Sequence, residues 1–209
     1  MATISLLAPS YVYRDAVEFM KRDVCSFFMK KLSTHHLPTF QHSVRVALYS
    51  LSLAEAFGLA GRERDAFFRS VLLHDIGKLD VDAAVLNKRG ALDAGEWAAI
   101  REHCHGGVEL LRSLIEEGYV LSQIILFHHE NLDGSGYPYA KTDKELDLYV
   151  RIVRIVDSYD AMVGHRGYNV PKSSEAALEE LYRWSGVCYD ENVVQAFHRF
   201  VAFGNGVDR

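Results

Sequence analysis

The chain of 209 residues is long enough for one large domain or two small ones. Hydrophobic residues at 49% and charged residues at 24% are ordinary for a globular protein, and a net charge of −5 argues against coating long nucleic acid, which needs excess Lys and Arg. Cys25, Cys104 and Cys188 are odd in number and form no C-x-x-C pair, which argues against a disulfide framework or a thiolate zinc site. The start, "MATISLLAPSYVYRD", lacks the basic opening and long apolar run of a signal sequence, and no apolar stretch reaches membrane-spanning length. A cytoplasmic protein with no membrane partner is expected.

From the N-terminus, residues 11–32 form a mixed amphipathic stretch that "THHLPTF" breaks. Next, "HSVRVALYSLSLAEAFGL" sets Val44, Leu48, Leu51 and Ala54 at helical spacing, with Gly58 placed to end the helix. Residues 62–78 repeat the pattern through Phe67, Val71 and Leu72. Asp93 and Glu96 resemble a capping box for a helix expected to run to about residue 115. "VLSQIILFHHE" then leads into a Gly-rich loop over residues 131–147. In "LYVRIVRIVDSYDAM", the length and the recurrence of Ile152, Ile155, Val156 and Tyr159 favour helix over strand. Two last helices follow Ser173 and Asp190. Period-two alternation is nearly absent, so the fold class expected is all-α.

Chemistry-bearing residues interrupt these apolar runs. In "LLHDIGK", Leu72, Leu73 and Ile76 demand burial, and His74 and Asp75 must be buried with them. A buried carboxylate is paired or binds metal, and Lys78 is near enough to serve as a purely structural partner for Asp75. Asp157, in "IVRIVDSYDA", poses the same problem, with Arg154 as its candidate partner. His42 and His103 are lone helical histidines, although Gly107, four residues after His103, leaves a bare spot for a close approach. "HHENLDGSGYP" opens with His128 and His129, which diverge on any regular element. Together, His42, His74, Asp75, His103, His128, His129 and Asp157 offer five imidazoles and two carboxylates, all expected on helices that converge in one core. That nitrogen and oxygen set suits iron, manganese or similar divalent ions. It is too large for one tetrahedral zinc and right for two ions about 3.5–4 Å apart, with Asp75 as the natural bridge.

In order and spacing, "HSVRV", "HDIGK", "HCHGG", "HHENLDGSGYP" and "RIVDSYDAMVGHRGY" resemble the HD-GYP domain of the HD metal-dependent phosphohydrolase superfamily. The resemblance covers roughly residues 38–203, and the chain divides on it into an N-terminal helical segment, 1–37, and the domain, 38–209. It implies a helical bundle with a dinuclear metal centre in its core, and hydrolysis of cyclic dinucleotides, usually cyclic di-GMP and by extension cyclic GMP-AMP. Position by position, it implies that His42, His74, Asp75 and Asp157 hold one metal. Asp75 bridges to a second, which His103, His128 and His129 complete. Lys78 matches a lysine facing the substrate phosphate, so Asp75 and Lys78 are the expected catalytic pair. Gly136, Tyr137 and Pro138 match the signature loop, and Arg166 and Tyr168 an R-x-Y element near the ligand. In-line attack by metal-activated water follows, with Lys78 stabilising phosphoryl charge. Asp133 and Glu130 are candidates to fix the loop.

Several positions depart from the family pattern. Pro38 stands where some members carry a third-metal glutamate, so two ions are expected. Asn169 follows the R-x-Y element where a basic residue is frequent, and Asn131-Leu132 and Asp82-Ala83 replace other family residues. The competing readings are a module that binds a dinucleotide, or a diguanylate cyclase domain through the GYP loop, without turnover, and a nucleotidase acting on mononucleotides.

Overall fold

The computed structural model describes residues 24–164 and 170–204. Arg166, Tyr168 and Asn169 lie outside the described residues. Helix α1 (Cys25–His35) is followed after a single extended residue by α2 (Leu37–Ala56). That residue, His36, turns its ring back so that Nδ1 accepts the Thr39 N–H at 3.3 Å. Pro38 sits in the first turn of α2, where its missing N–H costs nothing. Gly58, at φ +94, takes the left-handed position beyond α2, as its place in the sequence predicts.

Helix α3 (Gly61–Leu72) stops short of the expected end at residue 78. The chain turns through Leu73, His74 and Asp75 and tightens into a short 3-10 helix, Ile76–Asp80. A one-turn α4 (Ala83–Leu86) starts on an Asp82 cap. The capping box of Asp93 and Glu96 is present, but the single helix expected behind it is three: α5 (Ala94–Arg101), α6 (His103–Leu110) and α7 (Arg112–Glu116). Helix α8 (Ser122–Phe127) ends just before His128. Asp147 and Ser173 cap α9 (Leu148–Val163) and α10 (Ser174–Arg183), and α11 (Glu191–Gly204) follows. The described residues contain no strand, only two isolated bridges, which bears out the all-α expectation.

One apolar cluster runs from Cys25 in α1 to Val201 in α11, with α2 and α9 at its centre. Met29 and Leu32 of α1 belong to it. No helix among the described residues is long and apolar enough to cross a membrane.

The closest approach between elements joins the 3-10 turn to α6. A Cβ on Gly77 would lie 2.0 Å from the His103 carbonyl oxygen and 2.6 Å from the Gly107 nitrogen. The bare spot at Gly107 therefore admits neighbouring backbone and the Ile125 side chain rather than a ligand. This contact fixes where the 74–75 turn sits relative to His103.

Candidate metal centre

The elements bring all seven predicted ligands to one place, though fewer of them ride on helices than the sequence suggests. His42 projects from α2, His103 from the first turn of α6 and Asp157 from α9. His74 and Asp75 sit in the turn after α3, and His128 and His129 in the turn that ends α8. Turns suit adjacent ligands, because a helix would aim neighbours about 100° apart.

Two nests of donor atoms share Asp75. One is His42, His74 and Asp75; the other is Asp75, His103, His128 and His129. The carboxylate presents one oxygen to each: Oδ2 lies 3.7 Å from His42 Nε2 and 3.6 Å from His74 Nε2, while Oδ1 lies 3.4 Å from His103 Nε2 and 3.9 Å from His128 Nε2. Asp157 also spans the nests, with Oδ1 at 2.9 Å from His42 Nε2 and Oδ2 at 3.6 Å from His129 Nδ1. Lys78 Nζ donates to Asp75 Oδ2 at 2.7 Å, and its side chain remains 12% exposed. His129, at 18%, is the most exposed of the seven, so Lys78 and His129 mark the mouth.

Outward hydrogen bonds fix the tautomers. His74 Nδ1 donates to the Val71 carbonyl at 2.7 Å, His103 Nδ1 to Ile100 at 2.5 Å, and His128 Nδ1 to Ile125 at 3.0 Å. A carbonyl can only accept, so each proton resides on Nδ1 and each Nε2 turns a bare lone pair inward. His42 does the same through Asp160, donating from Nδ1 to Oδ2 at 2.7 Å. Arg45 in turn grips Asp160 with Nε and Nη2, at 2.6 and 2.8 Å.

The result is a set of acceptors facing acceptors. The Nε2 atoms of His103 and His128 lie 3.2 Å apart, and His42 Nε2 lies 2.9 Å from a carboxylate oxygen. His74 Nε2 and Asp75 Oδ1 are buried with no hydrogen-bond partner. Lone pairs so placed repel, and burying them unsatisfied costs about 1–3 kcal/mol each. A divalent cation in each nest removes the conflict. The residues present fit the metal centre that the sequence implies.

Ionisation agrees. Burial lowers the pKa of His74, and it pushes His103 down to about 4, with Lys78 adding to the effect. Burial and neighbouring imidazoles hold His128 and His129 well below their ordinary value. Burial pushes Asp75 up, but Lys78, His74 and His103 outweigh it and keep the carboxyl well below the usual range. At Asp157 burial likewise pushes up, and the surrounding imidazoles of His42, His129 and His74 outweigh it, holding the carboxyl well below the usual range. At neutral pH the site therefore presents the Asp75 and Asp157 carboxylates and the neutral imidazoles of His74, His103, His128 and His129, the protonation state metal ligation requires.

The expected Arg154–Asp157 pair is absent. Arg154 instead donates to Asn131 Oδ1 at 2.9 and 3.0 Å and to Ser158. The signature loop is anchored by Glu130, buried to 1% exposure, which accepts the Tyr139 and Lys141 N–H groups at 2.7 and 3.1 Å. Asp133 holds the loop's own turn by accepting from Ser135. Gly136 is required: a Cβ there would lie 2.4 Å from Glu130 Cα and 2.5 Å from His129 O. That close fold-back stacks the Tyr137 ring on His129, centroids 4.7 Å apart and 28° from parallel. Pro138 follows through a cis peptide.

One part of the site is not read in the sequence, Asp160 with its Arg45 clamp, whereas Glu130 fixes the loop as a candidate for that role should. Asp160 was readable in principle, since it is a second carboxylate in an apolar helix three residues after Asp157.

Comparison with known proteins agrees with this geometry. Residues 27–193 match a family model described as HD domain. A 3'3'-cGAMP-specific phosphodiesterase of Vibrio cholerae is 39% identical over 158 residues, 75% of this chain and 30% of the relative. A cyclic di-GMP phosphodiesterase of Thermotoga maritima is 36% identical over 162 residues, 77% of this chain and 44% of the relative. The chain thus spans less than half the length of either. Among solved structures, an HDG"Y"P protein from Bdellovibrio bacteriovorus superposes with a TM-score of 0.64 at 16% identity, over 92% of this chain and 69% of that one.

Proposed function

This chain belongs to the HD domain family, in the branch that bears the HD-GYP signature, and from that premise we propose that it is a metal-dependent phosphodiesterase that opens a cyclic dinucleotide, cyclic di-GMP or 3'3'-cGAMP, to the linear dinucleotide or mononucleotides. The observation that carries the reading is the pair of nests sharing Asp75, in which buried lone pairs of His42, His74, His103 and His128 converge with their other ring nitrogens committed outward.

His42, His74 and Asp157 with Asp75 would hold one divalent ion, and His103, His128 and His129 with Asp75 would hold the other. Ions bound there, iron or manganese by the donor set, supply Lewis-acid activation of water and of the phosphodiester. The chain's own residues do the rest. Asp160 and the carbonyls of Val71, Ile100 and Ile125 hold the imidazoles in the ligating tautomer. Lys78, at the mouth, sets an ammonium where the phosphoryl oxygens gather charge. Tyr137 presents an aromatic wall beside His129, and Gly136 and Pro138 set its position. Arg166 and Tyr168, outside the described residues, are the R-x-Y element that the resemblance assigns to the ligand.

The departures at Asn169 and Asn131 lean toward a module without turnover; Asn169 lies outside the described residues, and Asn131 is described. That side chain is a strut: it accepts from Arg154 and donates to Ser135 across the base of the loop.

The test is anaerobic purification, loading with iron or manganese, and assay of both dinucleotides on one sample. Linear or mononucleotide product should form, and chelation or Asp75→Ala should abolish it. Metal-loaded protein that consumes neither dinucleotide would refute the proposal.

A further inference from the structure

Arg101 ends α5 one residue before the chain restarts as α6, and its guanidinium lies over the Tyr137 ring at 5.1 Å from the centroid. That ring also stacks on His129, centroids 4.7 Å apart, the most exposed of the seven residues of the centre. The Tyr137 ring thus links the exposed Arg101 to His129 at the metal nests.

Arg101 is exposed, and among the described residues no carboxylate pairs with it. The acids nearby in sequence are engaged elsewhere: Glu96 with Lys88 at 2.6 Å, and Glu102 with His105 at 3.6 Å. A guanidinium that rests a face on an aromatic ring keeps its in-plane N–H groups free, and that planar fork matches two phosphate oxygens. Lys78 supplies a point charge beside Asp75, at the nests themselves. Arg101 supplies a second cation one aromatic ring farther out.

Two cations at different depths suit a ligand with two phosphates. Resting on the function proposed above, we infer that Arg101 is a substrate-binding residue that grips the second phosphate of the cyclic dinucleotide, the one not undergoing attack. Tyr137 acts as its platform. The guanidinium is held by stacking rather than by a carboxylate, so its charge stays available to the substrate.

The test compares wild type, Arg101→Ala and Arg101→Lys as metal-loaded protein, with cyclic di-GMP as substrate and GpG as competitor. GpG carries both guanines but a single phosphate. Arg101→Ala should raise KM for cyclic di-GMP about ten- to a hundredfold, the weight of one charge-assisted contact, with the change in KM rather than kcat. Metal content and inhibition by GpG should match wild type, Arg101→Lys should recover part of the loss, and added salt should shrink the difference. Equal loss of GpG binding would mean a base contact and overturn the assignment. Loss of metal or of kcat would mean a structural prop for Tyr137 and overturn it too. An unchanged KM in a working enzyme would refute Arg101 alone and leave the proposed activity standing. Wild type that neither hydrolyses nor binds cyclic di-GMP would remove both.

Discussion

Asp160 does for His42 what backbone carbonyls do for His74, His103 and His128, and it does so with a charge that Arg45 must balance. Partners of this kind typically contribute 10–100-fold in metal affinity. Asp160→Asn should therefore weaken the nest of His42 and His74 by about that factor and spare the nest of His103, with chelator competition as the check; equal release from both nests would contradict it. Lys78 is the sharper case, because its 2.7 Å bond to Asp75 is what both a catalytic and a structural lysine would show. Lys78→Ala should keep both metals and lose roughly 10²–10³-fold in turnover, the cost of one oxyanion donor. Metal loss with unchanged activity per bound metal would make Lys78 structural. His74, Asp75, His128, His129 and Asp157 are legible in the sequence because each puts a ligand type inside an apolar run or next to another ligand, whereas His42 and His103, lone helical histidines, are picked out by the resemblance. What holds them is less legible: backbone carbonyls have no signature, and Asp160 hides behind Asp157. Arg154 misleads because spacing along a helix cannot show that a loop residue, Asn131, will claim it.

Helix period finds the elements but not their breaks. The apolar pattern of residues 62–78 continues through a turn because Leu72, Leu73 and Ile76 are all buried whether the backbone is helical or not. The same continuity joins α5, α6 and α7 into one expected helix. In each case the break puts a proposed metal ligand at an element's end, His74 and Asp75 after α3 and His103 at the start of α6. Gly77 makes the arrangement possible, since the α6 backbone at His103 and Gly107 crowds its missing Cβ. Gly77→Ala must push the 74–75 turn away from His103, at a cost at or above the roughly 1–3 kcal/mol of ordinary overpacking. At about 2–4 °C per kcal/mol for a chain this size, the thermal midpoint should fall by several degrees, with metal affinity lowered. Gly95→Ala is the control, because a Cβ there meets only Asp93 Oδ1 at 3.3 Å and the position is helical. Equal midpoints for the two variants would contradict the account.

For the whole molecule, the sequence shows an all-α fold around a polar centre, and the structure shows what that centre costs. His74, His103, His128 and His129 are buried in the neutral form, with pKa values depressed from 6.5, to about 4 for His103. The unfolded chain therefore binds protons that the folded one refuses, and chelator-treated protein should lose stability as pH falls below 6.5 toward 4. Each such histidine contributes up to about 1.4 kcal/mol per pH unit. Asp160, held at about 2 against an ordinary 3.8, acts in a lower window: its contribution is complete above 3.8 and is lost toward pH 2. Urea midpoints at pH 7.5, 6 and 5 check the histidine window, and a flat series would contradict it. Protons and metals compete for the same lone pairs, so the loaded protein should release metal in that range. The central claim, that these lone pairs exist to hold two ions bridged by Asp75, is tested most directly by elemental analysis of anaerobically loaded wild type beside Asp75→Ala. Two equivalents per chain in wild type, and loss from both nests in the variant, are the predicted results. A single equivalent in wild type, or full metal content without Asp75, would contradict the account.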